Sequence, residues 1–220
     1  MSENRSSVQN LAQQYIEAGK STEWFEVLYS QANNDEKLIP WADMQPNHNL
    51  LQWLDAHQIQ EQEKTALVIG CGLGDDAEKL AKRGFKVTAF DISTSAIKWC
   101  QQRFPDSLVN YQVADLLNPP ADWNQNFDFI LESYTLQSLP TSLMSITVPV
   151  IANFLTAEGT LLIICRGRNP EDTLEKVPYP LTKNDVMQFV DIGLSLQQFE
   201  DYFDNQESPP GRRFRVTFKN

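Results

Sequence analysis

The chain has 220 residues, of which 41% are hydrophobic and 21% charged, which is enough apolar material for one compact domain with a full core. Its 18 basic and 29 acidic residues give a formal net charge of −11, which argues against nucleic acid or an anionic membrane as a partner. No apolar run reaches the roughly 18 to 20 residues that cross a bilayer, and the polar start has no apolar segment behind it, so we expect a cytoplasmic protein.

The first 60 residues are predicted to be helical, because residues 11–19 and 49–57 carry apolar side chains at three- and four-residue spacing. Between them lies an aromatic stretch with two prolines, for which we expect a short helix mixed with extended chain. Trp24 and Trp41 in this stretch are candidate substrate-binding residues, since aromatic faces can enclose a soft or cationic molecule and exclude water. Packing in the core is the alternative role.

From Thr65 onward, predicted strands and helices alternate. Residues 65–70 form a short apolar run rich in β-branched side chains, typical of a buried parallel strand. The elements expected after it are a helix at 75–84, a strand at 85–91, a helix at 95–104, strands at 109–115 and 127–133, a helix over 139–155 that Pro149 should kink or break, and a strand at 159–166. This alternation predicts a doubly wound, mostly parallel α/β sheet covered on both faces.

The end of the chain departs from that rhythm. A helical pattern at 181–193 is followed by two strand patterns, 195–204 and 212–219, without a helix between them, which predicts an antiparallel hairpin. No repeat or long linker divides the chain, so we expect one domain over residues 1–220, with an N-terminal segment (1–60) and a core (65–220).

A glycine-rich loop, Gly70, Cys71, Gly72 and Gly74, lies directly between the first predicted strand and the helix after it. Glycine has no Cβ, so a ligand can lie against the main chain there, and the following helix presents free N–H groups. Glycines also serve ordinary tight turns, so the loop alone leaves both roles open. Cys71 is more simply a packing residue than a nucleophile.

Two acids begin the helix after this loop. Asp75 stands where a dinucleotide-binding fingerprint needs glycine or alanine, and Asp76 follows it. Carboxylates at this helix start disfavour a phosphate and favour a ligand that carries a positive charge or an amine. S-adenosylmethionine is such a ligand. Complementarity to the helix dipole is the alternative role of either acid.

Two further acids end predicted strands. Asp91, followed by the apolar Ile92, is placed to accept hydrogen bonds from the ribose hydroxyls of an adenosyl group. Asp115, followed by Leu116, suits the adenine amino group and one face of the ring. Ligands of doubly wound sheets bind beyond the carboxyl ends of the strands, which favours these roles, although each acid alone is also a common turn residue.

Candidate residues for the acceptor side follow the fourth and fifth predicted strands. Glu132 is a candidate general base and cofactor contact, and Tyr134 a candidate to orient the acceptor. Arg166 is a candidate to bind an anionic acceptor. A solvated strand-end acid and a surface arginine are the alternatives. The two histidines, His48 and His57, lie without cysteines or acids at ligand spacing, so no metal site is predicted.

In this order, the motifs resemble class I S-adenosylmethionine-dependent methyltransferases over roughly residues 65–220. Residues 68–77, VIGCGLGDDA, are similar to the GCGxGxDA form of thiopurine and thiol methyltransferase-like proteins that act on small molecules. The resemblance implies a seven-stranded Rossmann-like sheet with its last strand antiparallel and an N-terminal lid. It also implies S-adenosylmethionine as cofactor, S-adenosylhomocysteine as product, and a small acceptor such as a thiol, halide or chalcogen species.

One position departs from the family. Many members carry Asp or Glu two residues before the first glycine of the loop, where the acid helps to hold the amino group of the ligand, but this chain has Val68 there. The resemblance to the GCGxGxDA form implies Asp76 as the substitute that holds this amino group. The competing functions are a nicotinamide-dependent oxidoreductase, which Asp75 disfavours, and a cofactor-binding protein without catalysis, which Val68 makes conceivable. We expect a small-molecule substrate, no nucleic acid or membrane partner, and a monomer or weak homodimer.

Overall fold

The computed structural model describes residues 2–60, 62–174, 176–206 and 209–220, apart from the side chains of residues 2 and 3. The chain divides into two compact units, Met1–Asn118 and Pro119–Asn220. We describe each unit in turn. The expectation of a single domain stays a prediction.

Helices begin the first unit. They are α1 (Ser2–Glu17), α2 (Glu23–Ala32), a short 3-10 helix (Glu36–Leu38) and α3 (His48–Ala56). The helix α3 starts after Asn47, whose side chain accepts from the Asn49 amide at 2.9 Å and so satisfies one of the free N–H groups of the first turn. The aromatic stretch supplies the predicted short helix as α2 and adds a 3-10 turn that was not predicted, while α1 begins well before the expected residue 11.

The remainder of the first unit alternates strands and helices. It consists of β1 (Thr65–Ile69), α4 (Asp75–Lys82), β2 (Lys86–Asp91), α5 (Thr94–Arg103) and β3 (Asn110–Val113). The strand β2 pairs in parallel with both β1 and β3, and Ile69 lies opposite Phe90. Four of the five β1 residues are buried because helices cover the apolar strand. This register brings the loop after β1 beside the end of β2.

The second unit begins with β4 (Phe127–Ser133), α6 (Met144–Asn153) and β5 (Leu155–Arg166), and short 3-10 turns lie before and after β4. It ends with α7 (Lys183–Asp191), β6 (Ser195–Asp204) and β7 (Gly211–Lys219). The strands β4 and β5 are parallel, whereas β7 is antiparallel to both β5 and β6, so the predicted terminal hairpin is confirmed. Pro149 lies inside α6 without ending the helix.

The strand order is β3-β2-β1-β4-β5-β7-β6 in one seven-stranded sheet. The predicted fold class, a Rossmann-like mostly parallel sheet whose last strand is antiparallel, is therefore confirmed. In the described part of the chain, no helix has both the length and the apolar character that a membrane crossing needs.

Candidate functional site

The glycine loop turns sharply at the end of β1. Gly72 and Gly74 have φ of 53° and 88°, in the left-handed region that favours glycine. The Cys71 amide donates to the Phe90 carbonyl at 2.8 Å, and the Gly74 amide donates to the Cys71 carbonyl at 2.9 Å. The first bond continues the pairing of β1 with β2, and the second closes the turn that starts α4.

Asp91 is bound to this loop through its carboxylate. Its Oδ2 accepts from the Gly72 amide at 3.0 Å, and its Oδ1 accepts from the Ser93 amide at 2.9 Å. The residue is only 7% exposed, and no lysine, arginine or histidine of the described residues forms an ion pair with it. Burial raises the pKa of Asp91 to about 6, although the amide donors act in the opposite direction. The site therefore holds a buried carboxylate that would gain from further hydrogen-bond donors.

The two glycines at the centre of the loop face the protein's own tyrosines. A Cβ atom at Gly74 would lie 2.5 Å from Tyr111 Oη and 3.2 Å from Cys100 Sγ, so close packing requires glycine there. A Cβ atom at Gly72 would lie 3.1 Å from Tyr29 Oη. The glycines thus serve internal packing as well as the turn, and Tyr29 lies in the space directly against the Gly72 main chain.

The acids at the start of α4 have different partners. Asp75 forms a two-bond ion pair with Arg103 at 2.7 and 2.8 Å, which compensates its charge inside the protein. The half-buried Asp76 accepts from the Asn47 amide at 2.7 Å, and burial raises its pKa to about 6. Of the two carboxylates, Asp76 is thus the one without a cation beside it in the described structure, while one of its oxygens holds the start of α3.

The expected adenine-side residues lie after β3 and β2. Asp115 Oδ1 accepts from the Leu117 amide at 2.8 Å in a local turn, and the Asp115 main chain pairs with Asn118. Leu116 is buried and Ile92 is half-buried. Asp115 therefore serves as a strand-end turn residue through Oδ1. The adenine contact predicted for its second oxygen, Leu116 and Ile92 stays a prediction.

An aromatic cluster made of Trp24, Phe25, Tyr29 and Trp41 joins α2 to the segment after it. Trp24 stacks on Phe25 with ring centroids 3.8 Å apart, and Trp41 meets Trp24 edge-on at 6.1 Å. Trp24 is 2% exposed, whereas Trp41 is 43% exposed. Core packing therefore accounts for Trp24, and Trp41 remains the better placed of the two to meet a substrate.

Sequence reasoning missed two residues of α2 at this site, Glu26 and Tyr29. The Glu26 carboxylate accepts from Ser93 Oγ at 2.7 Å and from the Ser95 amide at 3.0 Å. These bonds tie α2 to the start of α5, next to Asp91. The aromatic composition of residues 21–46 was visible in the sequence, but no local pattern indicated which of its side chains would meet the glycine loop.

Glu132 lies in the second unit, near the end of β4, and is fully buried. Its Oε1 accepts from the amides of Thr135 and Leu136, both at 2.8 Å, which orders the turn after the strand. Its Oε2 is buried without a hydrogen-bond partner among the described residues. Burial raises the pKa of Glu132 to about 7. The alternative of a solvated strand-end acid is thus wrong for Glu132. Its Oε2 atom is available to accept a hydrogen bond or a proton.

Tyr134 follows β4 in a strained backbone conformation, with φ of 63°, which costs a non-glycine residue about 1–3 kcal/mol. Its hydroxyl accepts from Arg213 Nε at 3.1 Å, and the Arg213 guanidinium lies 5.7 Å from the ring centroid. Arg213, which sequence reasoning also missed, is only 2% exposed. Strain of this kind persists where surrounding contacts impose it, and it is common at functional sites.

Arg166 ends β5 in a half-buried position. Its amide donates to Gln137 Oε1 at 2.7 Å, and its carbonyl accepts from the Leu181 amide at 2.8 Å. These main-chain bonds fix the backbone of Arg166, and its proposed anion-binding role stays a prediction.

The glycine loop carries one thiol, Cys71, and the buried Cys100 of α5 donates to the Gly72 carbonyl at 3.1 Å. The neighbouring Cys100 thiol first, and burial second, raise the pKa of the Cys71 thiol well above its usual value. A high pKa leaves little thiolate, so Cys71 is poorly suited to be a nucleophile. Across the described residues, no group of three or more His, Cys, Asp and Glu side chains could hold a metal ion.

Comparison with known proteins finds a family model that matches the region around the glycine loop. Residues 66–159 match a family model described as a methyltransferase domain. The matched region contains the glycine loop and the acids Asp91, Asp115 and Glu132, whereas Trp24 and Trp41 precede it.

A curated protein similar to this chain is the ubiquinone biosynthesis O-methyltransferase of Nitrosospira multiformis. It is 26% identical over 141 residues, which cover 61% of this chain and 58% of the relative's length. The chain therefore spans less than two thirds of that relative.

Two solved structures extend the similarity to nearly the whole fold. The 1,6-didemethyltoxoflavin-N1-methyltransferase of Burkholderia thailandensis has a TM-score of 0.69 and 16% identity, and the match covers 90% of this chain and 89% of that one. The N-methyltransferase NodS of Bradyrhizobium japonicum WM9 has a TM-score of 0.68 and 20% identity, with 88% and 96% covered. At these identities the similarity establishes a shared fold.

Proposed function

We propose that this protein transfers the methyl group of S-adenosylmethionine to a small-molecule acceptor. The observation that carries the proposal is the hydrogen bond from the Gly72 amide to the buried Asp91 carboxylate, inside the matched region. This bond joins a glycine turn to a strand-end acid, which is the arrangement that an adenosyl ligand needs at the edge of a doubly wound sheet. Both solved relatives described above were crystallised with S-adenosylhomocysteine, which favours the same cofactor here.

The residues of the first unit fit this cofactor chemically. A carboxylate offers about four lone-pair positions, so Asp91 retains capacity for a ribose hydroxyl beside its main-chain donors. Ligand hydroxyls would compensate a buried charge that has no cation beside it in the described structure. Asp76 is the proposed contact to the amino group, and Gly70, Cys71, Gly72 and Gly74 supply the turn. Ile92, Asp115 and Leu116 are proposed to meet the adenosine.

S-adenosylmethionine supplies a methyl group on a sulfonium, and the bond from carbon to sulfur breaks as the acceptor attacks, so that sulfur leaves as a neutral thioether. No general acid is needed for this step. The protein's task is to hold the acceptor in line, which can contribute about 7–11 kcal/mol when the geometry is correct. A base is required only for an acceptor that carries a proton at the attacking atom.

Three residues of the second unit are proposed for the acceptor. Glu132, with a pKa raised to about 7 and an unused Oε2, suits a group that receives a proton near neutral pH. It is also the proposed cofactor contact of that unit. Tyr134, fixed by Arg213, is proposed to orient the acceptor, and Arg166 to bind an anionic part of it. Trp41 is the better supported of the two proposed substrate-facing tryptophans.

The acceptor class is proposed to be a small organic or inorganic nucleophile: a thiol, a halide or chalcogen species, or an oxygen or nitrogen group. The names of the relatives favour an oxygen or nitrogen acceptor, since one relative is called an O-methyltransferase and two are called N-methyltransferases. The GCGxGxDA form of the loop favours the thiol subgroup. We propose that the protein acts without a nucleic acid or membrane partner, as a monomer or weak homodimer in the cytoplasm.

The experiment that tests this proposal is an acceptor screen with S-adenosylmethionine labelled in its methyl group. The panel contains thiols, iodide, selenide, phenols and amines, and the Asp91→Ala variant is the matched control. We expect label to move to at least one class in the wild-type protein and to fall strongly in the variant. Cofactor binding without transfer to any class would instead support a protein that binds the cofactor and has lost catalysis.

A further inference from the structure

The hydroxyl of Tyr29 lies at the glycine loop although Tyr29 belongs to α2, far away in the sequence. A Cβ atom at Gly72 would be 3.1 Å from Tyr29 Oη, so the hydroxyl lies against the bare main chain of that glycine. Tyr29 is 3% exposed, and its hydroxyl has thus been removed from water. A buried polar group of this kind needs partners within the protein or in a ligand.

The Tyr29 hydroxyl makes one of the two kinds of hydrogen bond that a phenol can make. Its oxygen accepts from Trp41 Nε1 at 2.9 Å. A phenol also has a proton to donate, and among the described residues no hydrogen bond uses the proton of Tyr29. The indole donor occupies one side of the oxygen, which leaves the hydroxyl proton available to a ligand acceptor. A buried donor without an acceptor is costly, which makes a ligand oxygen at this position favourable.

The Tyr29 hydroxyl is also close enough to Asp91 for that charge to affect it. Burial first, and the negative charge of Asp91 second, raise the pKa of Tyr29 well above its usual value. The phenol therefore stays neutral and keeps its proton. A ligand group that met both residues would have to donate to Asp91 and accept from Tyr29, and a hydroxyl group can do both at once.

We propose that Tyr29 donates a hydrogen bond to a ribose hydroxyl of the bound cofactor, the same hydroxyl that donates to Asp91. This inference rests on the proposed function and adds a cofactor-binding residue from outside the matched region. A ligand carboxylate is the weaker candidate at this position, since a second negative charge beside buried Asp91 would be repelled. The ribose hydroxyl is neutral, and it can donate to Asp91 and accept from Tyr29 at the same time.

The position of Tyr29 is held by Glu26, which lies three residues earlier on α2 and so one helical turn away. Glu26 accepts from Ser93 Oγ at 2.7 Å, from Ser95 Oγ at 2.7 Å and from the Ser95 amide at 3.0 Å. A carboxylate at the first turn of α5 is also favoured by the helix dipole. Because Ser93 lies in the turn that bonds Asp91, α2 and the ribose acid are positioned by the same residues.

The test compares two ligands that share the ribose and differ in the amino-acid part: S-adenosylhomocysteine and 5′-methylthioadenosine. Their dissociation constants are measured by calorimetry for the wild-type protein and for Tyr29→Phe, which removes only the hydroxyl. We expect both ligands to bind about 5- to 10-fold more weakly to the variant, as for one lost hydrogen bond. Tyr15→Phe, on α1, is the matched control and should leave both constants unchanged.

The outcomes separate this inference from the proposed function. Failure of the wild-type protein to bind either ligand would overturn the proposed function itself. Equal binding by wild type and Tyr29→Phe would leave the cofactor in place and overturn the role of Tyr29. Weakening of S-adenosylhomocysteine alone would overturn the assignment to the ribose. Should Tyr29→Phe fail to fold, Trp41→Phe keeps the phenol and removes its indole donor; we expect about a twofold loss for both ligands, and no loss would count against the proposal.

Discussion

The amide of Gly72 donates a 3.0 Å hydrogen bond to Oδ2 of Asp91 and thereby joins the turn after β1 to the end of β2. The parallel register of these strands places the two residues side by side, and the positive φ of Gly72 directs its N–H toward the acid. The loop and the carboxylate therefore hold each other in place. A substitution at either residue should therefore alter both the local structure and the affinity for any ligand that Asp91 binds.

Replacement of Asp91 by alanine should weaken S-adenosylhomocysteine binding by about 1–3 kcal/mol, because a charged acceptor of ribose hydroxyls is lost. The loop also loses its acceptor for the Gly72 amide, so a smaller loss of stability should accompany the loss of affinity. Calorimetry gives the affinity and thermal unfolding gives the stability. Asp106→Ala, at an exposed acid of the same unit, is the control, and an Asp91→Ala protein with wild-type affinity would remove Asp91 from the site.

Cofactor binding should release protons near pH 6. The buried Asp91 has a pKa raised to about 6, so it is half protonated there, and ribose donors bind its charged form. Affinity should therefore be constant above pH 7 and fall as the pH drops through 6. Calorimetry at pH 6 in two buffers of different ionisation enthalpy measures the protons released.

Asp76 also has a pKa raised to about 6 and is proposed to meet the ligand amine, so both acids contribute to that release. Asp91→Ala should abolish the proton release that Asp91 contributes and leave the release that Asp76 contributes. Proton uptake at pH 6, or affinity that rises as the pH falls, would show that the ligand does not prefer the ionised acids.

Alanine at Gly74 should destabilise the protein more than alanine at Gly19. Both glycines have a positive φ, so each substitution carries a backbone penalty of about 1–2 kcal/mol. Only at Gly74 would the new Cβ atom lie 2.5 Å from Tyr111 Oη, whereas nothing lies within 4 Å at Gly19. The crowding should add about 1–3 kcal/mol, measured as the difference in unfolding free energy in urea.

The added Tyr111→Phe substitution should recover part of that difference, since it removes the atom nearest to the new methyl group. Equal destabilisation of the Gly74 and Gly19 variants would mean that the loop does not pack as described.

Glu132 should make the folded state less stable as the pH rises through 7. Its pKa is raised from 4.5 to about 7 by burial, so the folded protein holds a proton that the unfolded chain releases. The stabilising effect of this proton is complete below about pH 4.5 and is lost as the pH rises through 7. The full change is on the order of 3 kcal/mol. Urea unfolding across this range measures it.

The matched variant is Glu132→Gln, which does not titrate and whose carbonyl oxygen can still accept from the Thr135 and Leu136 amides. We expect its stability to be nearly flat between pH 6 and 8, where the wild-type protein declines. Parallel slopes for the two proteins would show that Glu132 titrates at its ordinary pKa.

Local sequence patterns predicted much of the fold. The apolar run at 127–133 and the extended pattern at 195–204 predicted strands with their observed bounds, and the glycine loop lies between β1 and α4 as predicted. Helix bounds were predicted less well than strand bounds: α1 begins at residue 2 rather than 11, and α6 continues through Pro149 instead of ending there. Signals read over a few residues succeed where burial and capping are themselves local.

Side-chain partners across the fold could not be predicted in this way. Asp75 was expected to influence a ligand, but its charge is compensated by Arg103, 28 positions away. Glu26 meets Ser93 across 67 positions, and the approach of Tyr29 to Gly72 depends on the same packing of α2. Such pairs follow from tertiary packing and leave no spacing in the sequence. The acids that the sequence did identify lie at strand ends, where the topology alone fixes the edge they share.

Calorimetric titration of the wild-type protein with S-adenosylhomocysteine and, separately, with NAD tests the central claim most directly. At the start of α4, Asp75 is paired with Arg103, but Asp76 has no cation beside it in the described structure and disfavours a pyrophosphate, while buried Asp91 favours neutral ribose donors. We predict saturable binding of S-adenosylhomocysteine that is weakened in Asp91→Ala, and no measurable binding of NAD. Binding of NAD without binding of S-adenosylhomocysteine would contradict the account.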